Sequence, residues 1–258
     1  MQIKVKVPGS CGELAQGIYK CEPFLITCPI DIFSIVTLSD EFNGLVNFGW
    51  KSKKMFDITL NYIGCKNFRF GMKIDSQLPT SKGMASSSAD IAAVAKAVSL
   101  ALNVNLTAAE ICKLAAQIEP TDATFVEGIV AMNPITGQIL KQVKFKNCQV
   151  AIFDFGGTVN TLEMQRRSNF QNNELPDIIT PQLMIQSALA NQDILFKPQI
   201  NEIINFAMNE GALSVNTAHS GTVIGIFFDD MSVVDSVVKR FKHIKLLKTA
   251  NVINGGFY

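Results

Sequence analysis

The chain has 258 residues, of which 48% are hydrophobic and 17% charged, and its formal net charge at pH 7 is +1. This length and composition predict a substantial core, in one large domain or two smaller ones. The near-neutral charge argues against a strongly basic nucleic-acid surface and a polybasic membrane anchor, so we expect neither nucleic acid nor a membrane as a partner. The sequence carries no signal for an oligomeric state.

The cysteine spacing and the apolar stretches indicate the cellular compartment. Six scattered cysteines form no C-x-x-C pair, which predicts reduced and mostly buried thiols. The first residues alternate polar and apolar side chains, unlike the apolar core of a secretion signal. The longest apolar stretch, residues 91–102, contains Lys96 and is too short to span a bilayer. These features predict a cytoplasmic protein.

The first 75 residues are predicted to be mostly β. β-branched and apolar residues recur between turn formers, which is typical of strands. The predicted strands are residues 3–7, 14–19, 24–30, 32–38, 56–63 and 68–74. The last two are expected to form a pair around the turn at residues 64–67.

Two helices are predicted next. The first, residues 87–102, is apolar on nearly every face and is therefore expected to be buried almost all round. Thr107 and Glu110 have the spacing of a capping box, which predicts a second helix at residues 108–118. Pro120 ends it.

The remainder of the chain mixes strands and helices. The predicted strands are residues 149–155, 213–217, 222–228 and 244–252, and the predicted helices are residues 181–192, 198–209 and 231–242. A β-rich block followed by helices and a mixed half indicates an α+β fold rather than a doubly wound sheet. We expect one domain at residues 1–145 and a second at residues 146–258.

Residues 79–90 are the strongest candidate for a binding site. A loop of small residues runs into the buried helix, whose first N–H groups and dipole attract anions. Small residues let a phosphate approach the backbone, and serine hydroxyls add donors or a magnesium ligand. An ordinary helix cap is the alternative interpretation. The loop matches neither G-x-x-x-x-G-K-[ST] nor G-x-G-x-x-G, and the Asp-Phe-Gly string at residues 154–156 reads as a strand end because its partner kinase motifs are absent.

Three segments resemble the motifs of the GHMP kinases. Residues 79–89 resemble the signature P-x-x-x-G-L-G-S-S-A-A, with Ala85 in place of the usual Gly and Ser88 in place of the usual Ala. Residues 7–14 resemble the N-terminal motif A-P-G-K-x-x-L-x-G-E, with Ser10 in place of lysine. Residues 215–223 resemble the glycine-rich C-terminal motif. The sequences of these segments, and of residues 28–31 and 119–122, are similar to those of the L-threonine kinase branch of the family.

The resemblance implies a fold and a reaction. The implied fold joins an N-terminal domain like ribosomal protein S5 domain 2 to a ferredoxin-like C-terminal domain. The implied reaction uses ATP and Mg²⁺ to phosphorylate the hydroxyl of a small molecule. In the branch named above, L-threonine becomes O-phospho-L-threonine for the aminopropanol linker of cobalamin. Homoserine kinase, another GHMP metabolite kinase and a non-catalytic nucleotide-binding protein are the alternatives.

The resemblance also implies roles for individual residues. Asp122 matches the family aspartate beside the substrate hydroxyl, although an isolated aspartate after Pro120 is more often part of a turn. The implied phosphate-binding residues are Pro79, Lys82, Gly83, Met84, Ala85, Ser86, Ser87 and Ser88. The implied Mg²⁺ ligands are Ser87 and Glu119. The substrate candidates are Ser10, Glu13, Asp31, His219 and Ser220. Glu13 and Asp31 are candidates for binding an ammonium group, with ordinary polar residues of a turn and a strand end as the alternative. Arg166 and Arg167 are candidates for a carboxylate, with a solvent-facing pair as the alternative.

Overall fold

A computed structural model of the chain describes residues 1–159 and 174–258. The N-terminal half begins with two long antiparallel strands, β1 (Gln2–Tyr19) and β2 (Glu22–Ser39). Each was predicted as two shorter strands. The prediction of breaks was wrong because shifts in register, including one between Pro8 and Gly9, absorb the turn-forming residues without ending the ladder.

The prediction of a strand at residues 56–63 is also wrong. After the short strand β3 (Leu45–Val46), helix α1 (Trp50–Ile63) occupies this stretch. Its buried residues, Ser52, Met55 and Thr59, are three and four positions apart, which is the spacing of one helix face. Gly64 ends the helix in the left-handed conformation. The predicted strand that follows is present as β4 (Gly71–Ser76).

The two central helices confirm their predictions. Helix α2 (Ser86–Ala101) is buried over most of its length and packs against α1, β1 and β2. Helix α3 (Ala108–Ala116) begins with the predicted capping box, in which Thr107 accepts a hydrogen bond from the Glu110 N–H and the Glu110 side chain accepts one from the Thr107 N–H. A hairpin of β5 (Ile129–Asn133) and β6 (Gln138–Val143) follows.

The C-terminal half also follows the predicted order of elements. It contains the strands β7 (Gln149–Asp154), β8 (Ser214–Thr217), β9 (Val223–Phe228) and β10 (Lys245–Asn251) and the helices α4 (Pro181–Ala190), α5 (Ile200–Asn209) and α6 (Ser232–Arg240). A 3-10 turn, Asn191–Asp193, extends α4. None of the described helices is long and apolar enough to cross a bilayer.

One sheet connects the strands of both halves. Its order is β10-β7-β9-β8-β1-β2-β4-β3, with the β5–β6 hairpin attached to β2. Almost all pairs are antiparallel, and only β3 and β4 run parallel among the described strands. This arrangement, with helices packed on the sheet, confirms the α+β class. The domain boundary between residues 145 and 146 stays a prediction.

The six cysteines are free, as predicted, and Cys11, Cys28 and Cys112 are buried.

Candidate active site

A cavity of about 830 Å³ lies where the start of α2 meets β1, the start of α1 and the loop after β8. This volume is within the range of about 300–1,000 Å³ that is usual for small-molecule sites. Most of the residues predicted from the sequence line it. They are Glu13, Gly83, Met84, Ala85, Ser86, Ser87, Ser88, Glu119, Asp122, His219 and Ser220. The structure thus brings together four segments that are separate in the sequence.

Close backbone contacts hold two of these segments together. Gly83 has a φ of +81°, and a Cβ added there would lie 2.4 Å from the Cβ of Ala218. A Cβ on Gly221 would lie 2.2 Å from the Lys82 carbonyl oxygen, and the Thr222 N–H donates to that same oxygen over 3.0 Å. Larger residues at either glycine would push the loops apart. The small residues of both motifs therefore serve the contact between the loops.

The start of α2 presents unpaired backbone donors to the cavity. Ala85 precedes the helix in the left-handed conformation, with φ of 54°, and no side chain caps the helix. The Ala89 N–H donates to the Ala85 carbonyl over 2.9 Å, so the N–H groups of residues 86–88 precede the helical ladder. Ser86 and Ser87 are half-buried beside them. This arrangement suits an anion, because the N–H groups and the helix dipole both supply positive potential.

Asp122 is held in the cavity by two hydroxyl groups. Its carboxylate accepts hydrogen bonds from the Ser88 hydroxyl over 3.1 Å and from the Thr27 hydroxyl over 3.3 Å. Its own N–H donates to the Ser88 oxygen over 3.1 Å. Removal from water raises the pKa of Asp122 to about 6, and the charge of Glu119 adds to the rise. Ser88 therefore orients the carboxylate rather than facing a phosphate alone.

The Glu119 carboxylate accepts hydrogen bonds from two other side chains that line the cavity. The Lys51 ammonium and the Ser87 hydroxyl both donate to its carboxylate, which is almost fully buried. Lys51 also lies over the ring of Trp50, with its Nζ 5.7 Å from the ring centroid. A hydroxyl and a carboxylate at one point are hard oxygen donors of the kind that Mg²⁺ accepts alongside phosphate and water. Ser87 and Glu119 therefore fit a magnesium ion bound mainly by its nucleotide.

A buried polar cluster forms another wall of the cavity. The His219 N–H donates to the Glu13 carboxylate over 2.9 Å, and the Lys197 ammonium donates to the Ala218 carbonyl over 2.8 Å. Burial and the charge of Asp122 raise the pKa of Glu13 to about 8. Burial lowers the pKa of Lys197 to about 8, although Glu13 opposes this shift. Burial and the charge of Lys197 lower the pKa of His219, which is therefore neutral at pH 7.

One atom of this cluster is left for a ligand. Among the described residues, the Nδ1 of His219 has no hydrogen-bond partner, although the side chain is buried and lines the cavity. A buried polar atom without a partner destabilises a fold unless a ligand or water satisfies it. The neutral ring can offer one more hydrogen bond to a polar small molecule.

Some predicted residues lie outside the cavity lining. Lys82 forms an ion pair with Asp154, with its Nζ 2.7 Å from the carboxylate, and also donates to the Gly157 carbonyl. Asp31 accepts hydrogen bonds from the backbone and side-chain amides of Asn251. Ser10 is buried, and its hydroxyl accepts from the Gly12 N–H.

Pro79, which was predicted to bind phosphate, also lies outside the cavity lining. Asp154 ends β7, as predicted for the Asp-Phe-Gly string. Arg166 and Arg167 lie outside the described residues.

Sequence reasoning missed Lys51, Trp50 and Lys197. The first two fall before a stretch that was predicted as a strand, so nothing placed them beside a helix start. Lys197 follows α4 in a segment without a motif. A lysine in a stretch otherwise rich in apolar residues is the only signal that the sequence carries for it.

Comparisons with known proteins agree with this geometry. Residues 51–130 match the family described as GHMP kinases N terminal domain. The chain is 27% identical over 248 residues to an L-threonine kinase of Salmonella typhimurium. The matched region covers 86% of this chain and 81% of the relative. It is also 28% identical over 106 residues to a homoserine kinase of Lactobacillus gasseri. That match covers 41% of this chain and 36% of the relative.

The fold is also that of a solved GHMP kinase. The mevalonate kinase of Methanococcus jannaschii superposes with a TM-score of 0.71 at 17% identity, over 98% of this chain and 99% of that one. At this identity the likeness concerns the fold alone. The chain therefore has the fold of these kinases, and its residues 51–130 match a GHMP kinase N-terminal domain.

Proposed function

We propose that this protein is an ATP-dependent kinase that transfers the γ-phosphoryl group to the side-chain hydroxyl of L-threonine, producing O-phospho-L-threonine for the aminopropanol linker of cobalamin. The observation that carries the proposal is the cavity in which Asp122 lies beside the open N-terminus of α2. The likeness to an L-threonine kinase over most of both chains supports the choice of substrate.

The start of α2 holds the phosphates in this proposal. The N–H groups of residues 86–88 and the hydroxyls of Ser86 and Ser87 donate to phosphate oxygens. Ser87 and Glu119 hold the magnesium ion that accompanies ATP. When bound, Mg²⁺ neutralises charge on the β- and γ-phosphate oxygens. The residues of the chain contribute chiefly position and fixed positive potential, which is how phosphoryl transfer is usually accelerated.

Asp122 acts on the nucleophile. As the threonine hydroxyl oxygen bonds to the γ-phosphorus, the bond from phosphorus to the β–γ bridging oxygen breaks, and the hydroxyl proton passes to the Asp122 carboxylate. With a pKa of about 6, this carboxylate is ionised at neutral pH yet basic enough to accept a proton. The hydrogen bonds from Ser88 and Thr27 keep one orientation of the carboxylate.

Glu13 and His219 hold the amino-acid part of the substrate. The ammonium group lies against the Glu13 carboxylate, whose charge is costly to bury without a cation. The unpartnered Nδ1 of His219 gives this group a second hydrogen bond. Ser220, the next residue along the loop, offers its hydroxyl to the substrate carboxylate.

The Asp122→Asn variant tests the catalytic assignment. Asparagine keeps the shape but accepts a proton poorly, so we expect turnover to fall by about two to four orders of magnitude while ATP affinity stays close to wild type. Turnover is measured by coupled ADP release and affinity by calorimetry. Asp57→Asn, on the exposed face of α1, is the matched control and should leave both unchanged. An unchanged rate in Asp122→Asn would remove Asp122 from the mechanism.

Homoserine is the second candidate substrate, because the chain is also similar to a homoserine kinase over part of its length. L-threonine and L-homoserine are isomers that differ in the position of the hydroxyl group. We expect a higher kcat/KM with L-threonine in the coupled assay. Faster turnover of homoserine would replace the threonine assignment, and turnover of neither, with ATP still bound, would favour a non-catalytic nucleotide-binding protein.

A further inference from the structure

The charges around the cavity are unevenly distributed. Four carboxyl groups line it, those of Glu13, Asp90, Glu119 and Asp122. Among the described lining residues, Lys51 contributes the only lysine or arginine side chain. A triphosphate entering this cavity meets four carboxyl groups and the ammonium group of one lysine. Lys51 is therefore the side chain on which the electrostatics of anion binding in this cavity depend most.

Lys51 is held at the cavity by the fold. It lies in the first turn of α1, which is anchored by the fully buried Met55 one turn later. Its side chain is 20% exposed, whereas that of Glu119, its ion-pair partner, is 2% exposed. The ammonium group thus lies between the cavity and a buried carboxylate, and it can turn toward a ligand without leaving solvent contact.

Ser87, which also donates to the Glu119 carboxylate, connects Lys51 to the proposed phosphate site at the start of α2. Ser87, the second residue of α2, donates its hydroxyl to the same Glu119 carboxylate that Lys51 contacts. An anion bound at the N-terminus of α2 therefore arrives next to the ammonium group. A phosphate oxygen there competes with Glu119 for the same cation, because both are anionic acceptors.

From this geometry we propose that Lys51 is a nucleotide-binding residue that exchanges partners, leaving Glu119 to bind the phosphate oxygens of ATP. In the absence of nucleotide, Glu119 serves as its counter-ion. On binding, the phosphates take that place and the Glu119 carboxylate becomes available to the metal that accompanies them. The inference rests on the proposed use of ATP, but it does not depend on which hydroxyl is phosphorylated.

The chain provides its own probe for this exchange. Trp50 is the one tryptophan in the sequence, is 55% exposed and lines the same cavity beside Lys51. Its fluorescence is expected to report binding of nucleotide without any phosphoryl transfer. Titrations of wild-type protein with ATP and with adenosine, both without metal, separate the contribution of the phosphates from that of the base and sugar.

The first variant is Lys51→Met, which keeps the length of the side chain and removes the charge. We expect the Kd for metal-free ATP to rise by about tenfold or more, as for loss of a charged hydrogen bond, and the Kd for adenosine to stay unchanged. Lys54→Met, on the exposed face of the same helix, is the matched control. Equal losses for ATP and adenosine, or an unchanged Kd for ATP, would overturn the proposal.

The second variant separates exchange from a permanent structural ion pair. In Glu119→Gln, Lys51 loses its competing partner, so metal-free ATP is expected to bind more tightly than to wild type. Removing the Glu119 charge by itself would tighten ATP binding equally with or without the lysine, so the gain is also measured in the Lys51→Met background, where the exchange predicts a smaller gain. An equal gain in both backgrounds, or no gain in either, would overturn the exchange. A wild-type protein that does not bind ATP would overturn it as well. A wild-type protein that binds ATP but does not phosphorylate threonine would refute the proposed substrate and leave the role of Lys51 intact.

Discussion

At the scale of single residues, the carboxyl groups of the cavity have different surroundings and therefore different tasks. Asp122 receives two hydroxyl donors and keeps a pKa of about 6, which suits a group that accepts a proton. Glu119 is paired with an ammonium group, which suits a counter-ion or metal ligand. Glu13 is buried against the 218–219 backbone, with a pKa raised to about 8, which suits a cationic ligand.

The pH dependence of catalysis follows from Asp122. Its pKa is raised from 3.8 to about 6, so kcat/KM for L-threonine, which reports the enzyme before this substrate binds, is expected to rise as pH increases through about 6 and the carboxylate form appears. The charge of Glu119 contributes to the raised pKa of Asp122. In Glu119→Gln, at saturating ATP and magnesium, the acidic limb of the pH–rate profile should therefore move to lower pH. Asp57→Asn should leave the limb in place. A limb that keeps its position in Glu119→Gln would contradict the coupling between the two carboxylates.

At the scale of elements, the start of α2 combines an open anion site with backbone strain. Ala85 adopts the left-handed conformation, which is unfavourable for a residue with a Cβ. The helix behind it is buried on most faces and cannot shift to relieve the strain. The strained residue therefore stands directly before residues 86–88, which line the cavity.

Ala85→Gly tests the strain at this helix start. Glycine removes the left-handed penalty of about 1–2 kcal/mol, but it increases the entropy of the unfolded chain, so we expect a net stabilisation of about 0.5–1 kcal/mol. Urea unfolding measures the change. Ala109→Gly, at an exposed helical position of α3, is the control and should destabilise the protein. Destabilisation by Ala85→Gly would show that the Cβ of Ala85 makes a contact that outweighs the strain.

At the scale of the whole molecule, the site depends on the pairing of the two halves of the chain. Strand β1 of the N-terminal half pairs with β8 of the C-terminal half through Glu13 and Thr217. Beside this pairing, Gly221 packs against the backbone of Lys82 and Gly83. The loops at residues 82–83 and 217–221 are therefore positioned by contacts between distant segments of the chain.

Gly221→Ala tests this coupling. Its new Cβ would lie 2.2 Å from the Lys82 carbonyl oxygen, a backbone atom with little freedom to move. We expect a loss of about 1–3 kcal/mol in the free energy of unfolding, together with weaker ATP binding. In Gly49→Ala the new Cβ has no neighbour within 4 Å, and the backbone φ is −70°, so only the helix-cap preference changes and its free energy of unfolding should fall by less than that of Gly221→Ala. Wild-type stability in Gly221→Ala would show that the loops can separate at no cost.

Much of the fold could be predicted because its signals are local. The capping box at Thr107 and Glu110, the apolar α2 and the apolar strands of the C-terminal half all depend on residues close together in sequence. Helix α1 could not be distinguished from a strand, because Met55, Phe56, Ile58 and Leu60 fit either period until a sheet or a helix neighbour is known. The continuous β1 was missed because register shifts that absorb turn residues require a partner strand.

The candidate site divides in a similar way. Residues 79–90, with their small side chains followed by an apolar helix, indicate an anion site by themselves, since a helix N-terminus attracts anions wherever it lies. Three contacts of lysine side chains join residues that are far apart in the sequence. They are the ion pairs of Lys51 with Glu119 and of Lys82 with Asp154, and the hydrogen bond from Lys197 to the Ala218 carbonyl. These contacts form only when distant segments of the chain pack together, because burial and proximity determine each pKa and each ion pair.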